Sequence, residues 1–171
     1  NILMTSIFAK GKTIIDNAAK EPEIIDLANC LKSMGAKIVG EGTNQIEIQG
    51  ITKLQKAKHT ILSDRIVAGT YIIAAVMLNK EFVVNNLESS HLTTLIKLLR
   101  KMGANLEVNK DSIIISPSLK LHGVNIETAP YPGFPTDLQA QVMALMSIAD
   151  GNSQIKETIF ENRFMHVSEL N

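Results

Sequence analysis

Apolar residues recur at helical spacing in several stretches of the chain. Ile24, Leu27, Ala28, Leu31 and Met34 predict one helix, with Pro22 at its first position, where the missing N–H costs nothing. Leu92, Leu95, Ile96, Leu99 and Met102 predict a second, behind a Ser89-Ser90 cap. Each runs into a glycine, Gly35 or Gly103, as expected where the chain must turn left-handed. Short β runs follow each glycine: Ala36–Val39 with Ile46–Ile48, then Asn105–Val108 with Ile113–Ile115. Their connections, Gly40-Glu41-Gly42-Thr43-Asn44 and Asn109-Lys110-Asp111, carry turn residues. Two further apolar helices are predicted at Arg65–Leu78 and Leu138–Ala149. In the first of these, Ala68, Gly69, Ala74 and Ala75 leave little side-chain bulk, which predicts burial on most sides.

These elements repeat. Met34-Gly35-Ala36-Lys37 returns as Met102-Gly103-Ala104-Asn105. Lys12-Thr13-Ile14-Ile15-Asp16-Asn17 returns in character as Glu81-Phe82-Val83-Val84-Asn85-Asn86, and again as Ser153-Gln154-Ile155-Lys156-Glu157. The unit reads helix, turn, short strand, loop, helix, Gly-Ala, strand, tight turn, strand, an α/β repeat. The third copy stops before its Gly-Ala and hairpin. The chain also begins with Asn inside an apolar pattern (Ile2, Leu3, Ile7, Phe8), so a piece of a longer protein is expected.

Composition narrows the classes. Of 171 residues, 45% are hydrophobic, enough for a core. Lys plus Arg and Asp plus Glu are 17 each, so no polyanion-seeking field is expected and nucleic acid is not an expected partner. No apolar run approaches the ~20 residues of a membrane span. The single Cys excludes an intrachain disulfide and fits a reducing, cytoplasmic compartment. Cys30 falls with Leu27, Leu31 and Met34 on one helical face and is expected in the core. His59, His91, His122 and His166 show no ligand spacing with acids or Cys, so no metal or other cofactor is expected.

One stretch carries candidate chemistry: Thr128-Ala129-Pro130-Tyr131-Pro132-Gly133-Phe134-Pro135-Thr136-Asp137-Leu138-Gln139-Ala140-Gln141. Each Pro fixes φ and removes a donor, so the lead-in to the helix is stiff. Thr136 stands at an N-cap position and Gln139 three residues on, the spacing of a capping box. That puts Asp137 at the first helical position, facing outward. An acid there either complements the helix dipole, worth about 0.3–1 kcal/mol, or does chemistry. The helix end lowers its basicity, whereas burial against a substrate opposes that. Spacing leaves both readings open. Asp64 has the same helix-start reading without a rigid lead-in. Arg163 either supplies charge or pairs with Glu161 or a helix end, and Glu21 and Glu161, at matching places in copies one and three, read better as capping or structural groups.

At these residues the sequence resembles a known family. The proline-rich stretch and Glu157-Thr158-Ile159-Phe160-Glu161-Asn162-Arg163-Phe164-Met165-His166 closely resemble the UDP-N-acetylglucosamine 1-carboxyvinyltransferases, also called enolpyruvyl transferases. So do Asn17-Ala18-Ala19-Lys20-Glu21-Pro22-Glu23 and Met34-Gly35-Ala36-Lys37, and the likeness runs from end to end. The resemblance implies an inside-out α/β barrel: two domains, each of three βαβαββ units, with helices packed inward. Residues 1–62 would be the last unit of the first domain. Residues 63–171 would be the first unit and part of the next unit of the second.

The implied reaction moves the enolpyruvyl group of phosphoenolpyruvate to the 3′-hydroxyl of UDP-N-acetylglucosamine and releases phosphate, the first committed step of peptidoglycan synthesis. Asp137 matches the family's aspartate at the sugar hydroxyl. Ile159 matches a position contacting the nucleotide sugar through its backbone. The family's mobile-loop cysteine, its cationic phosphate cradle and a Ser/Gly motif lie outside this sequence, so the isolated chain is expected to be inactive. Rival readings are the sibling transferase acting on shikimate 3-phosphate, a non-catalytic nucleotide-sugar-binding relative, and an α/β repeat domain with interaction duties only.

Overall fold

The computed structural model describes residues 1–170. Its contacts divide the chain into two compact units, Asn1–Leu62 and a second from Ser63 onward.

The first unit contains α1 (Ile2–Ser6), β1 (Lys12–Asp16), α2 (Pro22–Ser33), β2 (Lys37–Val39) and β3 (Gln45–Gln49). β3 is the central strand of an antiparallel sheet of order β1-β3-β2, with Ile15 opposite Ile46 and Ile38 opposite Ile48. Strand side chains alternate between faces, so Ile46 and Ile48 both point inward and are buried, while Gln45 and Gln49 are exposed. Against that face α2 lays Ala28 and Leu31, and Leu3 and Ile7 complete the cluster. Pro22 is at the start of α2 as the sequence predicts. Cys30 departs from its expected place: it is half-buried and outside the cluster of buried core residues. One residue is a turn of roughly 100° around an α-helix, which moves Cys30 off the stripe centred on Leu31 and Ala28.

In the second unit the same plan recurs: α3 (Arg65–Leu78), β4 (Phe82–Asn85), α4 (Thr93–Met102), β5 (Asn105–Val108) and β6 (Ser112–Ser116). Its sheet has the order β4-β6-β5, again antiparallel, with Ile113 and Ile115 of the central strand pointing inward. In both sheets the first strand is followed by an Asn with positive φ: Asn17 at 52° and Asn86 at 59°. Asn tolerates that region better than most residues. Gly103 closes α4 at φ 101°. Serine does not cap α4 directly. A 3₁₀ turn, Ser89–Leu92, precedes the helix, and the Glu88 carboxylate accepts from the Ser90 hydroxyl at 2.9 Å.

Then follow β7 (Asn125–Glu127), a 3₁₀ turn (Thr136–Leu138), α5 (Gln139–Ser147) and β8 (Gln154–Lys156). β7 and β8 pair in parallel, Ile126 opposite Ile155, so the chain between them must cross over, and α5 does so. A final 3₁₀ segment spans Met165–Leu170. No described helix is long and apolar enough to cross a membrane.

α3 forms the centre of the second core and is covered on most sides, as its small residues predict. Ala68, Gly69, Ile72, Ile73, Ala75 and Val76 are buried, Ile66, Thr70, Ala74 and Met77 are half-buried, and only a narrow strip of Val67, Tyr71 and Leu78 stays exposed. Its small residues also serve close approach. A Cβ on Gly69 would stand 2.7 Å from Leu138 Cδ1 and 3.1 Å from Leu95 Cδ2, both on fully enclosed side chains. Gly69→Val is therefore expected to lower stability by about 1–3 kcal/mol through overpacking. A shift of the urea midpoint measures it; an unchanged midpoint would mean that Leu138 has room to yield.

Candidate functional site

Between β7 and α5 the chain makes a closed excursion. Thr128 and Ala129 leave β7, and Phe134 returns to them: Ala129 N–H donates to the Phe134 carbonyl at 2.9 Å. Gly133 N–H bonds back to the Pro130 carbonyl at 2.8 Å, and the Tyr131–Pro132 peptide is cis. Gly133 has no alternative here, since a Cβ would meet Ala129 Cβ at 2.5 Å and the Pro130 carbonyl oxygen at 2.9 Å. Phe134 is 4% exposed and ties the loop into the core. At its tip the Thr94 hydroxyl donates to the Pro132 carbonyl at 2.7 Å, and the Arg65 guanidinium lies 5.5 Å from the centre of the Tyr131 ring. Rigid lead-in and outward acid are thus as the sequence predicts.

The capping box is not formed. Thr136 starts a 3₁₀ turn, not an α-helix, and its side chain accepts from no helix N–H. Gln139 is buried, its Nε2 without a partner among the described residues. The reason lies in Glu157, just past β8. Thr136 Oγ1 donates to Glu157 Oε2 at 2.8 Å, a hydrogen bond to an ionised acceptor, which is stronger than a neutral one. Thr128 Oγ1 donates to Glu157 Oε1 at 2.8 Å. The Ile159 N–H donates to the same oxygen at 2.8 Å and the Phe160 N–H at 3.3 Å. Burial pushes the Glu157 carboxyl up, but these donors together hold it below the usual glutamate value.

Arg163 extends the network. Its Nε donates to Thr136 Oγ1 at 3.2 Å and its Nη2 to Asp137 Oδ1 at 2.7 Å, while the guanidinium stands 5.3 Å from the Phe160 ring centre. The Asp137 side chain remains 56% exposed, and its Oδ2 accepts no hydrogen bond among the described residues. One oxygen is oriented by a cation and the other is free to take a proton. That is the arrangement a positioned general base requires.

The structure thus brings Asp137, Ile159 and Arg163 together. Ile159 spends its N–H on Glu157, so its carbonyl is the polar group left for a ligand. Of the two partners weighed for Arg163, neither is used: it pairs with Asp137, and Glu161 is exposed with no ion pair among the described residues. Asp64 caps α3, accepting from Ile66 N–H at 2.8 Å and Val67 N–H at 2.9 Å. Glu21 precedes α2 without a side-chain cap, its Oε2 buried and unpartnered among the described residues. His59 pairs with Asp26 at 3.0 Å. Thr128, Thr136 and Glu157 are absent from the candidates read from sequence. No periodicity links positions on opposite ends of a crossover, and only the parallel β7–β8 pairing makes them neighbours. A cleft of about 300 Å³ lies where the loop meets α4, lined among others by Arg65, His91, Lys97 and Tyr131. Neither Asp137 nor Ile159 lines it.

The family model for EPSP synthase (3-phosphoshikimate 1-carboxyvinyltransferase) matches residues 1–171. The chain belongs to this family. It is 51% identical over 173 aligned positions to the UDP-N-acetylglucosamine 1-carboxyvinyltransferase 2 of Carboxydothermus hydrogenoformans, covering 100% of this chain and 41% of that protein. It is 50% identical to the UDP-N-acetylglucosamine 1-carboxyvinyltransferase of Finegoldia magna, covering 99% of this chain and again 41% of the relative. The chain thus spans about two fifths of the length of the curated relatives it matches. Among solved structures, the enolpyruvyl transferase NikO from Streptomyces tendae superposes with a TM-score of 0.87 at 26% identity, over 98% of this chain and 40% of NikO. The mixed α/β architecture is therefore part of the enolpyruvyl transferase fold.

Glu157 gives the site a pH signature. Its folded-state pKa is lowered, so its contribution to stability is complete above the ordinary glutamate value and is lost as pH falls through the lowered one. Glu157→Gln should unfold at lower urea than the parent protein at neutral pH, and the gap should close in acid. Parallel midpoint curves at all pH values would show that the network carries no ionised acceptor.

Proposed function

We propose that this chain is the central part of a UDP-N-acetylglucosamine 1-carboxyvinyltransferase. The full-length enzyme transfers the enolpyruvyl group of phosphoenolpyruvate to the sugar 3′-hydroxyl, in the cytoplasm, for peptidoglycan synthesis. The observation that carries the reading is an Asp137 carboxylate held by Arg163 on one oxygen and open on the other. It stands in a chain about half identical to relatives bearing that name. Within the inside-out α/β barrel this assigns, residues 1–62 close one domain and residues 63–171 open the other, and each repeated sheet with its helices is one βαβαββ unit.

The chemistry divides into addition and elimination. The sugar hydroxyl oxygen attacks the enol carbon of phosphoenolpyruvate as a proton adds to the methylene carbon, giving a tetrahedral adduct. Loss of a proton from the new methyl group and departure of phosphate restore the double bond. Asp137 accepts the hydroxyl proton during attack. Its exposed position lets a hydroxyl reach Oδ2, and the bond from Arg163 to Oδ1 fixes the direction of the acceptor lone pairs. Ile159 offers its backbone carbonyl to the nucleotide sugar. No described group supplies the methylene proton, and that step is left to residues outside this chain.

Asp137→Asn in the full-length enzyme should lower phosphate release by about 10²–10⁴-fold, the range for losing a general base. Binding of UDP-N-acetylglucosamine, followed by calorimetry, should change little. Near-normal turnover in that variant would refute the assignment of Asp137. Turnover on shikimate 3-phosphate instead of the nucleotide sugar would assign the protein to the sibling activity.

A further inference from the structure

We infer that Glu157 is a positioning residue of the transferase site: its one carboxylate ties the backbone at Ile159 and the turn bearing Asp137 to a common point. This rests on the reading of Asp137 and Ile159 as the sugar-side contacts.

The carboxylate has two oxygens with separate duties. Oε1 takes the N–H groups of Ile159 and Phe160 and the Thr128 hydroxyl. Oε2 takes the Thr136 hydroxyl. A carboxylate is rigid and planar, so the distance between its oxygens is fixed by covalent geometry. Two segments that follow different strands of the crossover are thereby held in one register. On one side the Ile159 peptide is turned so that its N–H is consumed and its carbonyl is presented. On the other, Thr136 is the residue next to Asp137.

The network also has a direction. Because Glu157 accepts only while ionised, the Thr136 hydroxyl must donate to it. The oxygen of that hydroxyl is then free to accept, and it accepts from Arg163 Nε. Arg163 has a planar fork of donors, so fixing Nε fixes where Nη2 points, and Nη2 points at Asp137 Oδ1. Glu157 therefore orients the base through two intermediaries without touching the reacting atoms. Thr128 braces the opposite side: its hydroxyl also accepts from Thr158 N–H at 2.9 Å, and its carbonyl accepts the Thr158 hydroxyl at 2.5 Å. The peptide leading into Ile159 is thus held from both β7 and Glu157.

Glu157→Gln keeps the volume and one acceptor but offers an N–H group where Thr136 must donate. Thr136→Val removes the relay hydroxyl at nearly constant shape. In the full-length enzyme each variant should lower kcat/KM for UDP-N-acetylglucosamine by ~10- to 100-fold, the cost of misplacing reacting groups by about 1 Å. The KM for phosphoenolpyruvate should stay within about twofold. Thr136→Ser should recover most of the loss seen with valine, and the Glu157→Gln/Thr136→Val pair should lose little more than either alone. Should Glu157→Gln not fold, the valine and serine variants still decide. Folded variants with unchanged kinetics for the nucleotide sugar would overturn the inference. So would a KM for phosphoenolpyruvate that rises as much as the KM for the nucleotide sugar, since a merely structural residue would act that way. Asp137→Asn runs beside them: if it retains turnover, the reading of the base fails, whatever the Glu157 variants show.

Discussion

A carboxylate partly withdrawn from water keeps its charge most readily where donors meet it, and such donors hold its pKa down. Glu157 has two threonine hydroxyls and two backbone N–H groups as donors. Much of the local geometry follows from it. Thr136 is drawn away from a helix N-terminus, α5 starts later than the apolar pattern suggests, and the chain after β8 curls so that consecutive N–H groups point at one oxygen. Arg163 bonds both to the Thr136 oxygen, which this leaves as an acceptor, and to Asp137.

The loop before α5 supplies the stiffness that this network needs. Phe134 is buried and its carbonyl is bonded to Ala129, so the prolines span a closed path and not an open arm. Leu138, fully enclosed beside Gly69, locks the far end of the 3₁₀ turn to α3. Asp137 therefore sits between two fixed points, Phe134 and Leu138, while its own side chain is in water. Under the proposed reading of Asp137 as the base, such an arrangement lowers the entropic cost of positioning it, which folding has already met.

The scaffold around the site is one solution used twice. β1-β3-β2 and β4-β6-β5 share strand order, antiparallel sense, an inward pair of isoleucines on the central strand and a left-handed Asn after the first strand. In both units a helix covers the sheet with an aliphatic stripe, Ala28 and Leu31 or Leu95 and Leu99. The candidate site lies in neither sheet but where the parallel strands β7 and β8 end together. The repeat gives rigidity, and the crossover gives the site.

Sequence by itself determined the local pieces. Period-3.6 and period-2 patterns, Pro22, Gly35 and Gly103 act within a few residues of where they stand, so helices α2 and α4, their hairpins and their repetition were legible. The proline-rich lead-in and the outward Asp137 were legible for the same reason: three fixed φ angles restrict the chain wherever it lies. Edges were less so. Cys30 slid off the core because one residue of helix rotation separates it from Leu31. What the tertiary structure alone decided is who meets whom. Thr128, Thr136, Glu157 and Arg163 are scattered along the chain, and no spacing rule relates them. Their meeting depends on β7 pairing in parallel with β8 across a helix, and it was that pairing which turned an apparent helix cap into a relay between two charges.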